Sequence, residues 1–285
     1  MTVRIVTDST AHLAPDVVRS LNISVVPHHI LIDGREYLDG VDLTESDFSC
    51  LVYEHGQSAV TQPPTVEEFY AVYRDLIQDS SEIVSIHVSE VLSDTVENAR
   101  QAAAMLLGRC KTVVIDSQTL SMGLGILVET AARAAAAGQS LDEIVRTVRG
   151  LVPQIYIVFF SDNLEYLERG GRIGHAQALL GTMLGIRPFL TLEEGEIRPM
   201  EKVRTREEAL EKLVEFVSEF DTVEQLYIIR GSLTPREEID VLLERFKLLF
   251  PELAVPVVSY GPVVAAHIGP HTLGVIVYER AEFMA

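Results

Sequence analysis

Short runs of Val and Ile alternate with helix-spaced stretches through the first half of this chain, and few folds accept that alternation. Val3 to Val6, Ile23 to Val26, Ile83 to Val88 and Thr112 to Ile115 are apolar along most of their length, as strands buried on both faces are. Strands of that kind need helices over them, so the pattern predicts a parallel-sheet α/β domain. Asp33-Gly34, between Ile30 to Ile32 and Tyr37-Leu38, has hairpin-turn chemistry and is expected as an addition at the sheet edge.

Helix starts are marked by a hydroxyl followed three residues later by Glu, a spacing at which each side chain satisfies the other's exposed N–H group. The pairs are Thr65 with Glu68, Ser140 with Glu143, Thr205 with Glu208, and Thr234 with Glu237, the last with Pro235 at the first helical position. Gly138 closes the Ala-rich helix ahead of Ser140. Beyond Pro153 the texture changes. Ile155 to Phe160 reads as a strand, Leu164 to Arg169 as a short helix stopped by Gly170-Gly171, and Arg187 to Val203 as a hairpin turning near Gly195. Helices Arg206 to Phe220 and Pro235 to Phe250 then separate strands Leu226 to Ile229, Val255 to Ser259 and Gly274 to Tyr278. The expectation is an α/β domain over residues 1–153 and a mixed α+β domain over 154–285, with a ligand cleft between them.

Charge and motif content exclude several function classes. Lys plus Arg is 23 against 42 Asp plus Glu, a net charge of −19 that repels nucleic-acid phosphates and anionic membranes. No stretch approaches the ~20 apolar residues of a membrane span, and Cys50 and Cys110 form no CxxC pair, so a soluble cytoplasmic protein is expected. There is no phosphate loop for ATP and no GxSxG elbow, and Gly123-Leu124-Gly125 reads as small residues in a helix start. Gly269-Pro270 breaks the helix that would bring His267 and His271 onto one metal, and His28 and His29 point to opposite faces of a strand. Neither a metal nor a cofactor is expected.

What remains is a set of hydroxyls where strand ends converge: Ser9, Thr10, Thr61, Ser89, Ser93 and Ser117. Ser93 precedes the helical stretch Asp94 to Leu107, where a carboxylate or phosphate is favoured; a plain N-cap at Ser93 or Asp94 is the simpler reading. Asp8 is read as a turn residue bonding local N–H groups. Between Arg169 and Arg206 seven basic residues (Arg169, Arg172, Arg187, Arg198, Lys202, Arg204, Arg206) face four glutamates, a basic island on an acidic chain.

Taken together, TDST at Thr7 to Thr10, TQPP at Thr61 to Pro64, LSDT at Leu92 to Thr95, DSQTLSMGLG at Asp116 to Gly125, LEYLERGGRIG at Leu164 to Gly174 and HIGPHTLG at His267 to Gly274 resemble the DegV family nearly end to end. The resemblance implies a two-domain protein enclosing one long-chain, palmitate-sized fatty acid, its tail in an apolar tunnel. Thr61 and Ser93 match the family's carboxylate-binding hydroxyls, His267 matches a histidine of the same network, and Ser9 and Gln62 support it. The resemblance also implies that the carboxylate is presented to a fatty acid kinase, which makes acyl-phosphate for phospholipid synthesis, with Arg172 and Arg204 as docking candidates; separately, a monomer is expected, although the basic island could equally serve self-association. The chain departs from the family's usual residues at Pro64, Asp94 and His271. At ~0.8 kcal/mol per buried CH₂ a tail of about 15 methylenes outweighs head-group hydrogen bonds of ~1.5–3 kcal/mol each, so the hydroxyls set orientation more than affinity. The rival readings are a hydrolase or phosphotransferase using Asp8 or Ser93 with His267 as base, and a regulatory protein with no particular ligand.

Overall fold

The structure, a computed structural model, describes residues 3–162, 164–175 and 186–280. The chain divides into two units, Met1–Thr44 with Ala59–Pro153, and Glu45–Ser58 with Gln154–Ala285. The inclusion of Glu45–Ser58 in the later unit has a side-chain cause. Phe48 is buried, its ring meets Tyr53 edge-on, Tyr53 meets Tyr166 in the same way, and the Tyr53 hydroxyl donates to the Ala265 carbonyl.

In the first unit the strands are β1 (Arg4–Asp8), β2 (Ser24–Val26), β3 (His29–Ile32), β4 (Arg35–Leu38), β5 (Ala59–Gln62), β6 (Glu82–His87) and β7 (Lys111–Asp116). Four of them form an all-parallel sheet in the order β2-β1-β6-β7. Val6 and Ile83 pack with Phe69, Tyr73, Ala99 and Ala102 of helices Val66–Leu76 and Thr95–Ala104. Helices Met122–Ala136 and Leu141–Leu151 also pack against this sheet. Parallel strands release their chain at the same edge, so Asp8, His87 and Asp116 end β1, β6 and β7 side by side.

The Asp33-Gly34 turn forms as expected, with φ of 47° and 82° at its two residues. It is no edge addition to the parallel sheet. β3 and β4 instead form a separate antiparallel sheet with β5, in which Ile30 pairs with Thr61 and His29 with Gln62. The hairpin is thus the scaffold of the TQPP segment, and Thr61 and Gln62 stand on a strand.

The second unit has one sheet in the order β10-β9-β8-β13-β11-β12, where β8 is Ile155–Phe160, β9 Arg187–Glu193, β10 Glu196–Val203, β11 Val223–Arg230, β12 Val257–Ser259 and β13 Leu273–Glu279. All neighbours are antiparallel except β11 and β12. Helices Arg206–Ser218 and Arg236–Leu249 close its core with Ala209, Leu213, Val217, Leu242 and Phe246.

The four helix-start pairs separate into three outcomes. Thr65 with Glu68 and Ser140 with Glu143 form reciprocal capping boxes. Thr205 accepts from the Glu208 N–H, but the Glu208 carboxylate reaches back one residue further, to the Arg204 N–H. Thr234 caps nothing: helix Arg236–Leu249 starts after Pro235, and the Thr234 hydroxyl donates to the Thr272 carbonyl and accepts from the Gly231 N–H. A buried loop tie has taken the hydroxyl from the helix.

Candidate functional site

The turn after β1 is organised by one carboxylate. Asp8 is fully buried; Oδ1 accepts from the Thr10 N–H at 3.1 Å and the Thr10 hydroxyl at 2.5 Å. Oδ2 accepts from the Val88 N–H at 3.1 Å and lies 3.0 Å from His87 Nδ1. Burial alone would push this carboxyl up; the hydrogen bond from His87, the electrostatic attraction of the neighbouring His28 and His87 rings and the Thr10 hydroxyl outweigh it and hold the group well below the ordinary range. Asp8 bonds local N–H groups as expected, and it also ties β1 to β6. Behind it, Tyr73 donates to Ser85 Oγ at 2.8 Å, and Ser85 Oγ lies 2.6 Å from His87 Nε2.

On the other side of Asp8 stands His28. Its Nδ1 is 3.8 Å from Asp8 Oδ1 and 3.4 Å from Ser9 Oγ, and its backbone N–H donates to Ser9 Oγ at 3.1 Å. His28 Nε2 lies 3.1 Å from Thr95 Oγ1, which lies 2.7 Å from Ser93 Oγ. His28 and Thr95 are buried and Ser93 is half-buried. The helix Thr95–Ala104 has Asp94 at its N-cap position with no side-chain cap bond, and Asp94 is exposed. The Ser93 hydroxyl is therefore committed to Thr95 and is not the plain helix cap of the simpler reading.

The same helix holds the TQPP segment, because Asn98 Nδ2 donates to the Pro64 carbonyl at 2.8 Å. Thr61 is half-buried on β5, and Gln62 is exposed beside it. The remaining hydroxyls serve loops: Ser117 Oγ donates to the Thr119 carbonyl, Ser89 Oγ accepts from Val91 N–H, and Thr10 serves Asp8. Sequence reasoning isolates Ser9, Thr61 and Ser93 but not His28 and Thr95, which link Ser9 to Ser93, nor His87, which holds Asp8. The LSDT motif contained Thr95, and the HH pair contained His28, without any sign that they meet.

A second, part-buried pairing flanks this turn. His12 Nδ1 lies 2.9 Å from Ser121 Oγ, and burial lowers the His12 pKa to about 4 against the opposing charge of Asp8. Asp8, Ser9, His12, Arg19, Pro27 and Asp39 take part in lining a cavity of about 350 Å³. Gly125 in the following helix has no room for a side chain, since a Cβ would sit 2.7 Å from the Ala11 carbonyl. The GLG run thus lies in a helix start, as the sequence suggested, and the close approach at Gly125 is an additional constraint that the structure shows.

In the second unit, two motifs form one assembly. His267 is half-buried in the last turn of helix Pro262–Ile268, and a Cβ on Gly170 would collide with its Nδ1. Gly269 ends that helix at φ 78°, where a Cβ would meet the Tyr166 ring at 2.5 Å. Gly170 and Gly269 are small because helix Glu165–Arg169 lies directly against His267. His271, beyond the break, faces the Leu233 carbonyl at 3.2 Å and does not join His267.

Three of the seven cations of the basic island, Arg187, Arg198 and Arg206, form ion pairs. Arg206 forms a paired contact with Glu238 (2.5 and 2.6 Å), bonds Asp162 at 2.8 Å and lies over the Phe160 ring. Arg187 shares Asp162 at 3.0 Å, and Arg198 meets Glu193 at 3.2 Å. Arg172 donates to the Gly170 carbonyl at 2.7 Å, bracing the turn below His267, and Arg204 is exposed. As for a nucleophile, Asp8 is buried with both oxygens engaged, and Ser93 is hydrogen-bonded to Thr95. Among the described residues no cluster of His, Cys, Asp and Glu is arranged to hold a metal, and no helix is long and apolar enough to cross a membrane.

Comparison with known proteins adds an independent line. The model of the DegV family, described as uncharacterised proteins, matches residues 2–280. A DegV domain-containing protein of Listeria monocytogenes is 33% identical over 276 residues, covering 95% of this chain and 96% of its own. One from Deinococcus radiodurans is 34% identical over 281 residues, 96% of this chain and 98% of its own. Among solved structures, a fatty-acid-binding DegV protein of Thermus thermophilus superposes with a TM-score of 0.88 at 32% identity, covering 98% of this chain and 100% of that one. The fatty-acid-binding DegV of Bacillus subtilis gives 0.89 at 26% identity with the same coverage.

Proposed function

This chain belongs to the DegV family, and we propose that it is a cytoplasmic protein that binds one long-chain fatty acid and presents the carboxylate to a partner kinase for phosphorylation. What carries the lipid half of this reading is the end-to-end likeness to a Thermus thermophilus protein whose structure was described for its fatty-acid binding. Ser93 and Thr61 are the carboxylate-binding hydroxyls in this reading, with Ser9, Gln62 and His267 supporting the head group and the protein acting as a monomer without a cofactor. The anchoring of Ser93 through Thr95 and His28 supports it, because a head-group hydroxyl has to be held in place if it fixes orientation.

The kinase half rests on a division of labour: the chain has no phosphate loop of its own, so ATP binding falls to the partner. Arg172 and Arg204 are the residues we assign to the docking surface, Arg204 because it is exposed and Arg172 because it braces the turn packed on His267. The test is native mass spectrometry beside the denatured mass, with released small molecules identified. One fatty acid per chain is the expected result. A chain that stays at its bare mass after incubation with mixed fatty acids defeats the reading.

A further inference from the structure

We infer that His28 and Thr95, under the charge of Asp8, form a one-way hydrogen-bond relay that sets the Ser93 hydroxyl as a donor, so that its outward side selects an acceptor-only head group such as an ionised carboxylate. The inference rests on the fatty-acid reading above for the identity of the guest, but the relay itself is a property of the first unit alone.

Direction follows from proton counting along the chain of atoms. Thr95 Oγ1 carries one proton and stands between His28 Nε2 at 3.1 Å and Ser93 Oγ at 2.7 Å. If His28 Nε2 carries a hydrogen, it donates to Thr95, the Thr95 proton is free to go to Ser93, and the Ser93 proton then points away from the relay. If Nε2 carries none, Thr95 must donate to it, Ser93 must donate to Thr95, and only lone pairs face outward. The two arrangements present opposite chemistry to a guest.

Asp8 decides between them. Its four acceptor positions are filled by Thr10 N–H, the Thr10 hydroxyl, Val88 N–H and the His87 ring, so the carboxylate is held ionised. The His87 direction is fixed in turn, since Tyr73 donates to Ser85, Ser85 donates to His87 Nε2, and Nδ1–H is left for Asp8. His28 is thus 3.8 Å from a buried negative charge whose lone pairs are already used. The attraction between Asp8 and His28 points to hydrogen on both ring nitrogens, with Nδ1–H toward Ser9 Oγ and Nε2–H toward Thr95, and it acts against the cost of burying His28. Asp8 is the charged group nearest His28 among these contacts, and through it His87 and His12 are coupled to the same cluster. Thr95 and His28 are positioning residues; neither needs to touch the guest.

The test compares hexadecanoate with hexadecanol. A carboxylate only accepts, whereas an alcohol donates or accepts and is indifferent to the direction of Ser93. Thr95→Val, which keeps shape but cuts the relay, is expected to weaken hexadecanoate about fivefold and leave hexadecanol within about twofold. Thr95→Ser, which keeps the hydroxyl, is expected to restore the acid. Equal loss for both ligands makes Thr95 merely structural and overturns the relay. Nitrogen-15 NMR of the ligand-free protein reads the relay without any lipid: His28 Nε2 is expected to carry hydrogen and to shift on Thr95→Val. An unprotonated Nε2 overturns the proposal. A wild-type protein that binds neither ligand defeats the fatty-acid reading and leaves the NMR result to decide the relay.

Discussion

Four donors converge on the Asp8 carboxylate, and the chemistry nearby follows from that crowding. In the proposed function Ser93 has a different task, because its one hydroxyl would face a guest whose binding energy resides in a tail. Ser93→Ala is therefore expected to keep fatty-acid binding within about tenfold, ~1.4 kcal/mol, while phosphorylation by the kinase falls much further. Isothermal titration beside a coupled kinase assay checks both, and complete loss of lipid would reverse the energetic argument. His12 gives a pH prediction with a definite sign. Its unfolded pKa is 6.5 and its folded value about 4, so between these the unfolded chain holds more protons. Stability contributed by His12 is thus full above pH 6.5 and falls as pH drops toward 4. Replacing it, His12→Gln, should flatten the acid-side fall in melting temperature; an unchanged slope would show that His12 does not titrate in this way. At this scale the sequence was half legible. Residue type picked out Ser9, Thr61 and Ser93, but the partners that orient Ser93 lie up to 67 positions apart in sequence, and no local pattern encodes that meeting.

Elements were more legible, because strand and helix signals are local while their glycines are not. The apolar runs of the first half became β1, β2, β6 and β7, and the Gly195 hairpin, the Gly138 helix stop and the Gly170-Gly171 stop all formed. What failed was assignment between elements: the Asp33-Gly34 hairpin scaffolds Thr61, and Thr234 ties a loop. Both depend on tertiary partners that compete with a locally favoured role. Glycines separate the two kinds of information experimentally. Gly231 has no space, since a Cβ would strike the Pro270 carbonyl and the Tyr260 hydroxyl, whereas Gly150 near the end of helix Leu141–Leu151 has nothing within 4 Å. Gly231→Ala is expected to cost roughly 1–3 kcal/mol, and Gly150→Ala to stabilise by up to ~0.5–1 kcal/mol. Urea denaturation of both variants measures the contrast. Equal shifts would mean the loop at Gly231 yields without cost.

For the whole molecule, the question is how a chain of net charge −19 would meet the proposed kinase through a basic stretch. The island of seven cations is a weaker field than its sequence suggests, because charges fold onto partners the local count omits. Asp162 and Glu238 lie outside the island, yet they neutralise Arg187 and Arg206; burial lowers the Arg206 pKa while Glu238 and Asp162 raise it, with a net rise. Arg206 is accordingly a structural cation, and removing it leaves Glu238 and Asp162 facing each other with one donor fewer. Arg204 differs, being exposed with its backbone N–H capped by Glu208. If docking uses this surface, Arg204→Glu should slow association with the kinase, with the deficit shrinking as salt rises, and leave lipid affinity and melting temperature unchanged. Arg206→Gln should instead lower the melting temperature and affect docking only in proportion. Stopped-flow association across ionic strengths, with melting curves for both variants, distinguishes the two roles. A salt-independent deficit for Arg204→Glu would move the docking surface away from the island, because a steering charge acts through a screened field and a packing defect does not.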